Sequence, residues 1–136
     1  MKRVTLFLIL IAILTGCGQS GKKTENAASI DETAVNVFYF HGKQRCKTCI
    51  AVGDVAKQTV EMAFTDNDKV IFTEINTSEK KYETLCEKYE VSWNALIIAF
   101  GDNYIDITDQ AFATAVGNPQ ALENLIKNEV NNRLSK

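Results

Sequence analysis

An apolar strand that runs through a polar loop into two cysteines at the head of a helix constrains this 136-residue chain more than any other feature. Residues 35–40 (VNVFYF) are rich in β-branched and aromatic side chains, the composition of a strand buried on both faces. His41-Gly42-Lys43-Gln44-Arg45 interrupts the run. From Cys46 to about Phe64, apolar residues recur at Cys49, Val52, Ala56, Val60 and Ala63/Phe64. Steps of three and four trace one face of a helix. Strand, loop and helix in that order set Cys46 at the helix start.

The alternation continues. Thr65-Asp66-Asn67-Asp68 is a turn cluster, and residues 70–75 (VIFTEI) read as a second strand. Thr77-Ser78-Glu79 is expected to open a second helix, its acidic residue near the positive end, with a stripe of Tyr82, Leu85/Cys86 and Tyr89. Residues 95–100 (ALIIAF) and 104–107 (YIDI) read as strands joined by the tight turn Gly101-Asp102-Asn103, and so as antiparallel neighbours. Asn118-Pro119 starts a last helix whose stripe is Leu122, Leu125/Ile126, Val130 and Leu134. The predicted class is α/β, with element order β-α-β-α-β-β-α over residues 34–136. The sheet is mixed and four-stranded, with helices on both faces. If the first crossover moves one way across the sheet and the second moves back, right-handed crossovers place the Cys46 helix and the Cys86 helix on opposite faces.

Cys46-Lys47-Thr48-Cys49 carries the chemistry. At a helix start the backbone N–H groups lack intrahelical partners and the macrodipole is positive, so a thiolate at Cys46 is stabilised below the free-thiol pKa of about 8.5. Arg45, Lys47 and Lys43 add positive charge in the same direction. Cys49, three residues on and on the same helix face, is close enough to close a disulfide. Cys46 is expected to be the exposed attacking thiol and Cys49 the shielded resolving one. Two other uses of the pair stay open: a static disulfide that staples an interaction domain, and capture of a soft metal or metalloid such as arsenite. His41, the one histidine in the sequence, is a candidate to tune Cys46 or to deprotonate Cys49. A cysteine-hydrolase reading fits poorly beside a second cysteine at this spacing. Cys86 packs as a small hydrophobe in its stripe. Its predicted place on the far face argues against a third thiolate ligand, and one CxxC without a second ligand pair argues against zinc.

VFYFHGKQRCKTC resembles the strand-then-CxxC of the thioredoxin superfamily. Tyr39-Phe40-His41-Gly42 followed by Arg45-Cys46 and Thr48-Cys49 resembles more closely a group of small thioredoxin-like bacterial proteins. These are described as a nitrophenyl-compound nitroreductase subunit and found beside arsenic-resistance genes. The resemblance covers roughly residues 35–134, with the specific match in 37–49. It implies a thioredoxin-like fold and thiol chemistry at Cys46 and Cys49. No flavin- or nicotinamide-binding motif is present, and no cofactor is expected. Where thioredoxins place a cis-proline beside the CxxC, this chain has Val91-Ser92-Trp93-Asn94-Ala95-Leu96, with Ala95 in the proline's place. A cis bond without proline costs about 3 kcal/mol, so Asn94–Ala95 is expected to be trans and substrate docking to differ. Trp93, Asn94 and Ala95, with Tyr39, are the candidate groove residues. The buried aspartate of thioredoxins has no clear counterpart in Val35-Asn36-Val37-Phe38.

The amino terminus bears on location. Met1-Lys2-Arg3 and the apolar run of residues 4–14 (VTLFLILIAIL), ending in Leu14-Thr15-Gly16-Cys17, resemble a lipoprotein signal with its lipobox. The expected processing removes residues 1–16 and lipidates Cys17. Residues 17–33, rich in Gly, Ser, Lys, Glu and Asn, then read as a flexible tether of about 20–25 Å. The domain is thereby expected in the cell envelope on the exported side, where disulfides persist. Fifteen basic against 17 acidic residues give a net charge of −2, which lacks the basic field a nucleic-acid partner requires. The expected partners are protein dithiols and disulfides or small thiols, a redox-recharging partner, and the membrane through the lipid.

Overall fold

The structure, a computed structural model, describes residues 30–136. The signal, Cys17 and residues 18–29 of the expected tether lie outside the described residues. Ile30 packs against the core cluster that holds Phe38, Leu85 and Tyr89, and Asp31 Oδ1 accepts the Thr33 N–H at 2.9 Å, so this end of the expected tether is held on the domain.

Strand β1 (Val35–His41) leads to helix α1 (Lys47–Ala63) and strand β2 (Val70–Asn76). A 3-10 turn (Lys80–Tyr82) then runs into α2 (Glu83–Lys88). Strands β3 (Ala95–Phe100) and β4 (Asn103–Asp106) form a hairpin, followed by α3 (Thr108–Thr114) and α4 (Pro119–Leu134). The sheet order is β2-β1-β3-β4. β1 runs parallel to β2 and antiparallel to β3, and β3 runs antiparallel to β4. This is the predicted mixed four-stranded α/β architecture, consistent with a thioredoxin-like fold.

Alternation along β1 and β3 builds two cores. Val35, Val37 and Tyr39 with Leu96 and Ile98 face α1, α3 and α4, where Val52, Ala56, Ala111, Leu122 and Ile126 close the layer. Phe38 and Phe40 with Ile97 face the other way, against Leu85 of α2 and Tyr89 at its C-cap. Both faces of β1 are covered, which is why its sequence shows no polar alternation. α1 and α2 do lie on opposite faces, although the handedness rule for parallel crossovers governs only β1-α1-β2, because β2 and β3 run in opposite directions.

Two local departures from expectation have clear causes. The second helix does not open at Thr77. Asn76 Oδ1 accepts the Ser78 N–H at 3.1 Å and the Ser78 hydroxyl at 2.6 Å, and this turn holds the chain out of helical geometry until Lys80. Helix α3 is an element beyond the expected β-α-β-α-β-β-α order. Its start is fixed by Asp106 Oδ1, which accepts the Thr108 N–H at 2.8 Å, and its buried stripe of Ile107, Ala111 and Ala115 is too small-sided to stand out in the sequence. The Asn103 pairing with Phe100 leaves Gly101-Asp102 as a two-residue turn, in which Gly101 takes φ +55°.

Candidate functional site

The carboxyl ends of β1 and β2 and the amino end of β3 meet on one edge of the sheet, and α1 starts from that edge. Cys46 is the N-cap of α1, with extended backbone angles (φ −77°, ψ 167°). Its Sγ takes the place usually held by a serine or aspartate oxygen and accepts the Cys49 N–H at 3.1 Å. The N-cap and the third helical residue are the pair that the capping geometry brings face to face. That spacing sets the two Cα atoms 5.0 Å apart, and the sulfurs are joined in a disulfide. Cys46 is exposed, whereas Cys49 is 4% exposed on the inward stripe of α1. Lys47 is the exposed first residue of the helix.

Beneath this turn lies a stack of polar groups on the α1 face. The Tyr39 hydroxyl donates to the Cys49 carbonyl at 2.5 Å, and its ring is fully buried. Burial, partly opposed by the positive charge of Arg45, pushes the phenol pKa up, so the group stays protonated as a donor. Arg45 lies over the Tyr39 ring, 5.4 Å from its centroid, and its Nη1 donates to Glu74 Oε1 at 2.6 Å. His41 Nε2 stands 3.3 Å from the same oxygen, while its Nδ1 faces the Gly42 carbonyl at 2.8 Å. Arg45 and His41 therefore converge on Glu74. Whatever field Arg45 extends toward Cys46 is reduced by that carboxylate. Gly53 gives the stack its room, because a Cβ there would come within 2.7 Å of both Arg45 Nη2 and Tyr39 Cε1.

The loop before β3 forms the opposite wall. Trp93 is 69% exposed, and a Cβ at Gly42 would stand 3.9 Å from its Cε2. Gly42, Lys43, Thr77, Ser92 and Trp93 line an open groove beside the cysteine loop. Asn94 Oδ1 is buried and lacks a hydrogen-bond partner among the described residues. Ala95 is buried and pairs with Phe40. No cis peptide bond occurs among the described residues, so Asn94–Ala95 is trans. Cys86 is free, half-buried on α2 across the sheet, and burial raises its thiol pKa. Among the described residues no three His, Cys, Asp or Glu side chains converge to hold a metal ion.

No protein-family model and no curated protein matches this chain.

Of the residues singled out in the sequence, Cys46 and Cys49 are bonded, Arg45 and His41 meet at Glu74, and Trp93 and Asn94 form the facing loop, with Ala95 opening β3. Tyr39, expected at the groove, is seated under α1. Glu74 and Gly53 carry no local sequence signal for the site. Glu74 becomes a site residue only through the register that pairs it with Tyr39, which no local pattern encodes. Asn36 is buried at the far end of β1, where it binds the Asp31 and Ala34 carbonyls at 2.8 and 3.0 Å.

Proposed function

We propose that this protein is a thiol–disulfide oxidoreductase of the thioredoxin-like type. One observation carries the reading: an exposed Cys46 at a helix N-cap, its sulfur facing the Cys49 N–H and bonded to a buried partner. In the reduced protein, a Cys46 thiolate attacks one sulfur of a substrate disulfide. The Cys46–substrate bond forms, the substrate S–S bond breaks, and the first substrate thiolate leaves. The Cys49 thiolate then attacks Cys46, closing the internal disulfide and releasing the second substrate thiolate. Two electrons pass to the substrate, and a dithiol partner returns them. Run backwards, the same steps oxidise a substrate dithiol. The helix N-terminus and Lys47 favour the Cys46 thiolate, and burial of Cys49 keeps it from external disulfides.

The similarity of VFYFHGKQRCKTC to the small thioredoxin-like group supports the same chemistry, and the lipoprotein-like amino terminus supports action at a membrane surface in the cell envelope. Trp93 and the groove it shares with Gly42 and Lys43 are the docking wall for the substrate's chain, or for a small thiol. The trans Asn94–Ala95 bond gives that wall a shape of its own. The test is trapping. A Cys49→Ser variant is expected to accumulate a mixed disulfide at Cys46 with a model disulfide substrate, and Cys46→Ser to form none. Cysteine-dependent arsenite binding without any disulfide exchange contradicts this reading and supports the soft-ion binder.

A further inference from the structure

The thiol-exchange reading leaves Tyr39 without a role, yet this buried side chain bonds directly to the backbone of the cysteine pair. The Tyr39 hydroxyl donates to the Cys49 carbonyl at 2.5 Å. The next peptide N–H, that of Ile50, donates to the Cys46 carbonyl at 3.0 Å. Phenol, Cys49–Ile50 peptide and Cys46 carbonyl thus form one chain of hydrogen bonds ending on the residue that reacts. The geometry points to Tyr39 as a positioning residue that, through this chain, sets how strongly the first turn of α1 stabilises the Cys46 sulfur as a thiolate. The assignment rests on the thiol-exchange reading and adds to it the residue that tunes the pair.

A donor on the Cys49 carbonyl polarises the Cys49–Ile50 peptide and strengthens its N–H as a donor to Cys46. That bond holds Cys46 in the cap position, where the Cys49 N–H of the first turn meets Sγ. The phenol also offsets negative charge on a carbonyl of that turn, which raises the positive potential a thiolate feels. The donor is built in. Its ring is packed against Gly53 and under Arg45, is wholly buried, and keeps its proton because burial holds the phenol neutral. A stabler thiolate favours the reduced pair, so Tyr39 makes the disulfide more oxidising.

The experiment uses the full-length protein and reads two quantities for the Cys46–Cys49 pair. One is the equilibrium constant against a dithiol/disulfide buffer. The other is the pH midpoint of Cys46 alkylation, followed by mass spectrometry of its peptide. Tyr39→Phe keeps the ring and removes the donor. It is expected to shift the equilibrium toward the disulfide by roughly two- to tenfold, the size of one neutral hydrogen bond, and to move the alkylation midpoint upward. Tenfold corresponds to about 30 mV for this two-electron couple. Site-specific 3-fluorotyrosine at position 39, a stronger donor on the same ring, is expected to move both readouts the opposite way. It also decides the matter if Tyr39→Phe does not fold. Shifts of opposite sign support the assignment. Unmoved readouts, or both replacements shifting the same way, overturn it while leaving thiol exchange intact. A wild-type pair that never equilibrates with the buffer overturns the thiol-exchange reading and this assignment together.

Discussion

Cys49 owes its burial and its reach to the same spacing: three residues past the N-cap it faces both the cap sulfur and the core. That asymmetry predicts order in reactivity. After reduction, Cys46 is expected to alkylate well before Cys49, and Cys46→Ser to lower disulfide exchange to the uncatalysed rate. Quenched alkylation with peptide mapping checks both. Glu74 supplies a second test at this scale. Its carboxylate holds Arg45 at 2.6 Å and cancels part of that charge near Cys46. Glu74→Gln frees the cation and is expected to shift the Cys46 alkylation midpoint downward. The shift is modest because the Glu74 side chain is 41% exposed and solvent screens the pair. An upward shift would show that Arg45, once released, leaves the site.

Among the elements, α2 and α1 each carry a residue chosen against local preference. The end of α2 closes with the Val91 N–H on the Cys86 carbonyl at 2.8 Å and the Glu90 N–H on Glu87 at 3.1 Å, a Schellman motif. Its left-handed position holds Glu90 at φ 54° where glycine is favoured. Glu90→Gly is expected to raise stability by about 0.5–1 kcal/mol in urea unfolding; a loss of that size would contradict the assignment. Gly53→Ala gains helix propensity of about 1 kcal/mol, but its methyl meets the buried Tyr39 ring, so a net loss of about 1–2 kcal/mol is expected. Most elements were legible in the sequence because each was bounded by its own signal: Asn118-Pro119 for α4, Gly101 for the hairpin, and the unbroken apolar run for β1. The failures share a cause. An Asx turn at Asn76 delayed α2, and a second Asx turn at Asp106 with an alanine-rich stripe concealed α3, so short-range side-chain hydrogen bonds outweighed periodicity. Within the site, the cysteine pair was legible because its spacing is local. The Tyr39–Arg45–Glu74 stack was not, since it depends on strand register and on one missing side chain at Gly53.

For the molecule as a whole, buried acidic groups set a limit on alkaline stability. Cys86, Tyr39 and Tyr89 all have pKa values raised mainly by burial, from ordinary values of 9.0 for the thiol and 10.0 for the phenols. The folded state therefore binds more protons than the unfolded chain once these groups begin to ionise, and stability falls as pH rises. Their contribution is fully present below about pH 9 and is lost first at Cys86, then at the two tyrosines. Thermal unfolding of the oxidised protein between pH 8 and 11 is expected to show a falling Tm, with the earliest part of the fall absent in Cys86→Ala. A flat profile would contradict the burial of the two tyrosines and the partial burial of Cys86. The larger arrangement serves the site: β1, covered on both faces and paired on both edges, is the fixed floor from which the loop to Cys46 departs. On that footing the reduction potential of the Cys46–Cys49 pair, measured in a thiol buffer, tests the account most directly. A value between about −270 and −120 mV, with Cys46 the first thiol alkylated, is the predicted result, and a value below about −300 mV, that of an inert staple, would contradict it.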